Sequence, residues 1–350
     1  MATIANIRGA LLEEIVLYLL DQVGYKTLEF PPGSTITEAG VQEGASGLEL
    51  QGRGTWHQTD AVATLSHSPA FIHPIRLIVE AKCYQSKVGV GVVRNSVGVL
   101  KDINENHFSI SGPRNRKIKS TRYNYLAAIF SSSGYSPRAI EYAIAHQIFL
   151  IEYQNIPLIE PIVNSLLDLD TEHLIDEGLN NIKSIRRTYR SALQNENIDT
   201  TADQYFSSSG MRLLRNIQHH IQRIGGSYFG MLQGRWPLHL LTEEPLPPDF
   251  FETDVVECMV RSDDGENWRF VPSRRRNDRP WFEIQFNLPQ EVASIVAEYW
   301  RDQTAVANLK AQYFSYINLS GKIGNIHRTV KLVLDETWLH RYLMRQAFRE

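Results

Sequence analysis

The sequence lacks the features that would identify a secreted, membrane-spanning or zinc-finger protein. Among its 350 residues only Cys83 and Cys258 are cysteines, and no CxxC spacing occurs, which excludes a disulfide framework and a zinc finger. The apolar N-terminal segment is interrupted by Arg8, Glu13 and Glu14, so it fits neither a membrane-spanning helix nor a signal peptide. We therefore expect a cytoplasmic protein that does not enter a membrane.

A large excess of positive charge is also absent. The formal net charge is −3, which argues against a protein that coats nucleic acid nonspecifically, so any contact with nucleic acid must come from local basic patches. Hydrophobic residues make up 43% of the chain and charged residues 21%, without a low-complexity tract. This composition is typical of a well-packed globular protein, and the length suits two domains.

The first half of the chain has the pattern of a mixed sheet flanked by helices. Apolar residues recur every three or four positions between Ile7 and Val23, which predicts a helix that ends at Gly24. The segments GLELQGRG, WHQTDAVATL and IRLIVEAK read as strands, and Val88 to Ile103 reads as a helix. YNYLAAIFSSSGYSPRAIEYAIAHQIFLIEY follows as strand, helix and strand, a unit that implies a parallel crossover. We therefore predict an α/β fold.

The character of the sequence changes near residue 165. Residues 172–193 have the apolar stripe of one long amphipathic helix, and the polar run QNENIDTTADQ is the best candidate for a linker. From Met211 onward a helix precedes the strand-like segments VVECMVRS, NWRFV and WFEIQFNL, and further helices surround a second hairpin. The predicted organisation is a first domain over 1–165, a helical linker over 166–205 and an α+β domain of unknown role over 206–350.

The apolar strand IRLIVEAKCY contains, besides Arg76 near its start, two charged side chains near its end. Successive strand residues point to opposite faces, so Glu80 and Lys82 share one face. If the loop over residues 66–74 closes a symmetric hairpin, residues whose numbers sum to 140 face each other, and Asp60 lies opposite Glu80. Two carboxylates and one amine then converge on a small region, and adjacent carboxylates are costly unless positive charge lies between them.

A divalent cation would resolve this electrostatic problem. Mg²⁺ prefers oxygen ligands, binds through one or two protein carboxylates, and leaves sites for water and phosphate. A metal of this kind neutralises a phosphate and lowers the pKa of bound water, while a nearby lysine holds the water or stabilises negative charge. The constellation therefore suits hydrolysis of a phosphodiester bond.

The same residues carry a resemblance to a known family. The order of a helix glutamate, HQTD at 57–60 and EAK at 80–82 resembles the PD-(D/E)XK nuclease superfamily, in particular its Mrr-like restriction endonuclease branch. LLEEIVLYLLDQVGY is similar to the branch's opening helix, where a glutamate precedes the Gly of a Gly-Tyr pair by eleven residues, an offset that selects Glu13 over Glu14. YLAAIFSSSGYSPRAIEYAIAHQIFLIE is similar to its closing strand, helix and strand. The resemblance covers about residues 5–155, and Thr59 replaces the proline before the aspartate.

The resemblance implies a restriction-endonuclease-like fold and a metal-dependent endonuclease that acts on DNA in restriction or defence against foreign DNA. Asp60 and Glu80 would bind Mg²⁺, or Mn²⁺ as a substitute, with the Ala81 carbonyl as a third ligand. Lys82 would position water or stabilise charge, and Glu13 would orient water or assist the metal. Because each chain would carry one active site, a homodimer is plausible for cleavage of both strands.

Further side chains are candidates for contact with nucleic acid. Gln58 is expected on the strand face of Asp60, where it could contact a phosphate. The loop after the second helix carries five cations in nine residues, namely Arg114, Arg116, Lys117, Lys119 and Arg122. We expect this loop near the cleft, where its charges would suit phosphate, although a solvated loop has the same composition.

Other interpretations stay open from the sequence alone. Glu80 and Lys82 could lie at a solvated sheet edge, and Glu13 could be an ordinary surface residue of a helix. The chain could also be a non-catalytic nucleic-acid-binding module on a nuclease fold, or a nuclease effector gated by a ligand or partner of the C-terminal domain.

Overall fold

The structure is a computed structural model that describes residues 3–28, 40–44, 48–68, 70–106, 109–111, 114, 116–119, 121–175, 181–194, 204–265, 267–273 and 281–347. The chain divides into two compact units, Met1–Gln154 with Ile159–Ile221, and Asn155–Leu158 with Gln222–Glu350. The predicted boundary at residue 165 and the predicted linker over 166–205 differ from this division, because the helices in that stretch pack within the first unit.

The first unit contains ten described strands and six described helices. The strands are β1 (Tyr25–Thr27), β2 (Val41–Glu43), β3 (Leu48–Gln51), β4 (Trp56–Thr59), β5 (Ala61–Leu65), β6 (Ile75–Lys82), β7 (Ser109–Ser111), β8 (Lys117–Lys119), β9 (Asn124–Ser131) and β10 (Phe149–Glu152). The helices are α1 (Ile4–Val23), α2 (Val90–Asn104), α3 (Pro137–His146), α4 (Glu160–Asp168), α5 (Ile182–Leu193) and α6 (Ser208–Gln222).

A five-stranded mixed sheet forms the centre of this unit. Its strand order is β1-β5-β6-β9-β10. The pairs β1–β5 and β5–β6 are antiparallel, and the pairs β6–β9 and β9–β10 are parallel. The parallel pairing of β9 and β10 is what the predicted strand, helix and strand unit requires. α1 packs on β1, β5 and β6, while α2 and α3 pack on each other and on β9 and β10. The predicted α/β class, with a mixed sheet and flanking helices, is confirmed.

The ends of the helices follow local chemistry. Thr3 accepts a hydrogen bond from the Asn6 amide at the start of α1, and Gly24 ends the helix with a φ of 99°, a conformation that glycine adopts without strain. Ser136 caps α3 by accepting from the Ala139 amide, and Pro137 occupies the first turn. The end of α1 and the start of α3 therefore lie where the sequence predicted them.

The segment WHQTDAVATL was predicted to form one strand, but it is broken at Asp60. β4 belongs to a separate three-stranded sheet, β2-β3-β4, and β5 belongs to the central sheet. Asp60 lies at the bend between them. The small sheet is anchored to the end of α2, because His57 Nε2 lies 2.7 Å from Asp102 Oδ2 and the Gly54 amide donates to the same carboxylate.

The long amphipathic helix predicted over 172–193 is also interrupted. Thr171–His173 is a short 3-10 helix, in which Asp170 and His173 satisfy each other's backbone amides. Leu174 then forms a β-bridge with Phe206, and helix α5 begins only after Asn181, whose side chain accepts from the Ser184 amide. Local capping at Asp170 and Asn181 therefore determines where helical structure occurs here, although the apolar stripe predicted one continuous helix. The predicted linker sequence falls largely on 195–203, outside the described residues.

The second unit is an α+β structure, as predicted. Its described strands are β11 (Gly226–Leu232), β12 (Trp236–Thr242), β13 (Val255–Ser262), β14 (Asn267–Pro272), β15 (Ile284–Asn287), β16 (Tyr316–Ile323) and β17 (Ile326–Leu334), and its helices are α7 (Gln290–Tyr299), α8 (Gln303–Tyr313) and α9 (Glu336–Ala347). The strand order is β12-β11-β16-β17-β13-β14-β15, around a core that contains Trp268, Phe270 and Phe314. No helix in the described parts of the chain is long and apolar enough to cross a membrane.

Candidate active site

The charged pair lies at the carboxyl end of β6, and the predicted register is confirmed. Ala61 faces Val79 and Val62 faces Ile78, so the residue before β5, Asp60, lies at the level of Glu80. On the other edge, Glu80 pairs in parallel with Ile129 of β9. The hairpin register therefore brings Asp60 beside the charged pair, despite the bend in the chain at that residue.

Lys82 links the two carboxylates. Its Nζ lies 2.9 Å from Glu80 Oε1 and 3.6 Å from Asp60 Oδ2. The three side chains are only 18%, 22% and 30% exposed for Lys82, Glu80 and Asp60. Since none of them is as open as a solvated sheet edge would be, the interpretation of this pair as an ordinary strand end is not supported.

Burial and charge act in opposite directions on the pKa values of these groups. Burial raises the pKa of Asp60, an effect that Lys82 partly reverses. Burial lowers the pKa of Lys82, but Glu80 and Asp60 together outweigh this and raise it to about 12. Lys82 is therefore protonated at neutral pH, and its ammonium group lies between the two carboxylates.

A residue that the sequence analysis missed fixes the orientation of Glu80. Ser96, which is buried on α2, donates a 2.5 Å hydrogen bond to Glu80 Oε2. The serine lies in a cleft of about 180 Å³ whose polar lining is Gln58, Thr59, Asp60, Glu80, Asn95 and Ser96. One Glu80 oxygen is thus held by Ser96 and the other by Lys82, and the carboxylate forms part of the cleft wall.

Glu13 and Glu14, on α1, are both buried and both contact helix α5. Arg186 Nη1 lies 2.8 Å from Glu13 Oε2, and Arg186 Nε donates to Glu14 Oε1 at 2.7 Å. Arg190 binds Glu14 through Nε at 2.6 Å and Nη2 at 3.0 Å. Glu13 is 7% exposed, so the interpretation as an ordinary surface residue is wrong.

The electrostatic surroundings distinguish Glu13 from its neighbour. Burial raises the pKa of Glu13 to about 8, against the lowering effect of Arg186. The charges of Asp60 and Lys82 also act on this carboxyl group, and Arg186 acts on Asp60. Glu13 therefore belongs to the electrostatic environment of the site, in line with the offset that selected it over Glu14.

The remaining predicted residues are placed less uniformly. Ala81 is buried on β6 between the charged pair, and Gln58 lines the cleft from β4. Because β4 ends before Asp60, Gln58 reaches the cleft from a different sheet and not from a shared strand face, as had been expected.

The two ends of the basic loop do not lie beside the cleft. It follows α2 and precedes β9, and Asn124 at the start of β9 pairs with Ile75, at the opposite end of β6 from Glu80. Five residues of strand separate those positions, about 17 Å. This placement differs from the expectation that the loop lies near the cleft. Arg114, Arg116 and Arg122 are exposed, and the side chains of Lys117 and Lys119 lie outside the described part.

The donor set fits a divalent oxygen-binding cation. Asp60 and Glu80 offer carboxylate oxygens that converge on one positive atom, Lys82 Nζ, and the Ala81 carbonyl lies between Glu80 and Lys82 in the chain. Within the described ranges there is no group of three or more His, Cys, Asp or Glu arranged to hold a metal ion. A metal at this place would therefore rest on two carboxylates and main-chain or solvent oxygen.

Comparison with known proteins adds little to this geometry. No protein-family model and no curated protein matches the sequence. Among solved structures, the chain is similar to the crystal structure of the protein of unknown function AF1548, with 14% identity and a TM-score of 0.33 over 60% of this chain and 95% of that chain. A likeness of this size indicates neither a shared fold nor a shared activity.

Proposed function

We propose that this protein is a metal-dependent endonuclease that hydrolyses phosphodiester bonds in DNA. The observation that carries the proposal is the convergence of Asp60 and Glu80 on Lys82 Nζ at the wall of a cleft. Three partly buried charges, two at the end of β6 and Asp60 at the adjacent bend, are costly to maintain, and a cation and a phosphate would use all three.

In this proposal Asp60, Glu80 and the Ala81 carbonyl hold Mg²⁺, or Mn²⁺ as a substitute. The bound metal supplies charge for the scissile phosphate and lowers the pKa of water. Lys82 would contribute a positive charge and would donate hydrogen bonds from Nζ to water or phosphate. Ser96 holds Glu80 in orientation, as residues behind a metal ligand commonly do.

Glu13 has a different role in the proposed reaction. Its pKa of about 8 makes it the group of the site that changes charge near neutral pH, so it suits accepting or releasing a proton of the attacking water. Gln58 lies on the cleft wall, where its amide can contact a phosphate.

The choice of DNA, the role in restriction or defence, and a homodimer for double-strand cleavage rest on the resemblance to the Mrr-like branch. Phosphate contacts by Arg114, Arg116, Lys117, Lys119 and Arg122 belong to the same proposal. A ligand or partner of the second unit would then act as a regulator.

Plasmid nicking tests the proposal. Supercoiled plasmid, methylated and unmethylated, is incubated with wild type, Lys82→Ala and Glu80→Ala in Mg²⁺, Mn²⁺ or EDTA. The surface variant Lys101→Ala, on the exposed side of α2, serves as the matched control. Wild type and Lys101→Ala should nick the plasmid with metal only, and the two site variants should not.

Equal cleavage of the plasmid by wild type and Lys82→Ala would contradict the proposal. Retention of DNA without cleavage, under every metal, would instead favour a non-catalytic nucleic-acid-binding module.

A further inference from the structure

Arg186 connects helix α5 to the candidate site, although it lies outside the segment that resembles a nuclease. Its Nη1 contacts Glu13 and its Nε contacts Glu14, so one guanidinium bridges two adjacent buried carboxylates of α1. The side chain is 19% exposed, and its charge also acts on Asp60. Arg186 therefore contacts both carboxylates of α1, and its charge also reaches Asp60.

The contact of Arg186 with Glu13 is close, but it lacks the geometry of a hydrogen bond. Glu13 Oε2 lies 2.8 Å from Arg186 Nη1, yet this buried oxygen has no partner with hydrogen-bond geometry in the described structure. The described charges that act on Glu13 are Arg186 from α5, Asp60 from the bend after β4, Glu14 from its own helix and Lys82 from β6. Among them Arg186 is the cation in direct contact.

We propose that Arg186 is a positioning residue of the active site, which holds the Glu13 carboxyl group beside Asp60 and Lys82. This inference rests on the proposed function, since it assigns Arg186 a part in that same site. A planar guanidinium that bonds two carboxylates fixes both in orientation, which a single ammonium does not. The site is then completed by a helix more than 170 residues further along the chain.

The neighbouring arginine provides a matched control. Arg190 lies one turn along α5 and binds Glu14 with two hydrogen bonds, whereas the described charges that act on Glu13 include Arg186 and not Arg190. Arg186→Gln and Arg190→Gln therefore each remove a cation from Glu14, and only Arg186→Gln releases Glu13. A purely structural role of the helix pair predicts equal losses of activity for the two variants.

The experiment measures kcat and KM for plasmid nicking with Mg²⁺ by the full chain. Arg186→Gln should lower kcat about 100-fold with little change in KM, because a misplaced catalytic group costs about this much. Arg190→Gln should remain within about threefold of wild type. In a double-mutant cycle, Glu13→Gln combined with Arg186→Gln should lower kcat no further than the more severe single variant.

Three results would overturn the inference: equal losses in the Arg186 and Arg190 variants, additive losses in the cycle with Glu13→Gln, or a loss confined to KM. If Arg186→Gln does not fold, Arg186→Lys replaces it. This variant keeps a charge beside Glu13 and should retain partial kcat, whereas kcat equal to wild type would show that bridging is not needed.

A readout without activity accompanies the kinetics. Urea unfolding of the same variants should give a coupling between positions 13 and 186 and none between 13 and 190. A wild type that nicks no plasmid overturns the proposed function and the positioning role with it. An active wild type with equal arginine variants overturns the positioning role alone.

Discussion

The buried charges between α1 and α5 should respond asymmetrically to mutation. Glu14 is 0% exposed in its side chain, whereas its partners Arg186 and Arg190 are 19% and 31% exposed. Removing the acid leaves two cations that can turn toward water. Removing both cations leaves a carboxylate that cannot reach water.

The two perturbations are therefore Glu14→Gln and the double variant Arg186→Gln with Arg190→Gln. Glu14→Gln loses charge-assisted hydrogen bonds and should destabilise the first unit by about 1.5–3 kcal/mol. The double variant leaves an unpaired buried charge and should cost about 3–5 kcal/mol. Lys183→Gln, on the same helix, breaks an exposed pair with Glu43 at 3.2 Å and should cost less than about 1 kcal/mol.

Hydrogen exchange measured by mass spectrometry assigns the effect to the correct unit. Peptides from α1 report the free energy of opening in the first unit, and peptides from β13 serve as an internal control in the second. The reasoning is refuted if Glu14→Gln lowers the protection of α1 as much as the double arginine variant does. Equal loss in β13 would show that the substitutions act on the whole chain.

Two further predictions concern the site. Because the pKa of Glu13 is raised from its usual 4.5 to about 8, this group favours folding below pH 4.5 and loses that contribution as the pH rises through 8. Urea unfolding should therefore show wild type losing stability relative to Glu13→Gln between these pH values, and a constant difference would contradict the assignment. Ser96→Ala removes the hydrogen bond to Glu80 and should lower kcat for plasmid nicking about 10- to 100-fold. It should also lower the free energy of unfolding by about 1–3 kcal/mol, because a partly buried carboxylate loses its donor, and Ser165→Ala on α4 is measured beside it as a control.

Local patterns predicted the centre of the first unit well. The strands β5 and β6 are buried on both faces, so burial alone does not set their register. The register was predicted instead from a symmetric hairpin loop, and the structure has the pairs that this symmetry gives. Ser136 and Pro137 likewise marked the start of a helix correctly, because a cap depends only on residues within one turn.

Long-range charge pairs left no such signal. Glu14 and Arg190 are separated by 176 residues, and nothing in either local sequence indicates the other. For the same reason the domain boundary was placed too early. A fragment that ends at residue 165 would lack both arginines and leave Glu14 buried without them, so a test of regulation by the second unit needs a fragment that extends to Ile221.

Other misses have local causes. Ser96 lies in a helix rich in glycine, where a single serine has no special pattern. The hairpin of β11 and β12 contains Gly230 and Pro237, residues that weaken a strand pattern. The bend at Asp60 was invisible because the sequence on either side reads as one continuous strand.

The bend at Asp60 attaches the two proposed metal ligands to different parts of the fold. Glu80 is held in the ladder of the central sheet, whereas Asp60 follows the last residue of the small sheet. A tilt of the small sheet would therefore act on Asp60, which joins that sheet to β5, and not directly on Glu80. The span between the carboxylates sets which ionic radius they accommodate, and selection between Mg²⁺ and larger cations depends on that span. In the proposed metal site, the contact of His57 with Asp102, which anchors the small sheet, would help to set this span from outside the site.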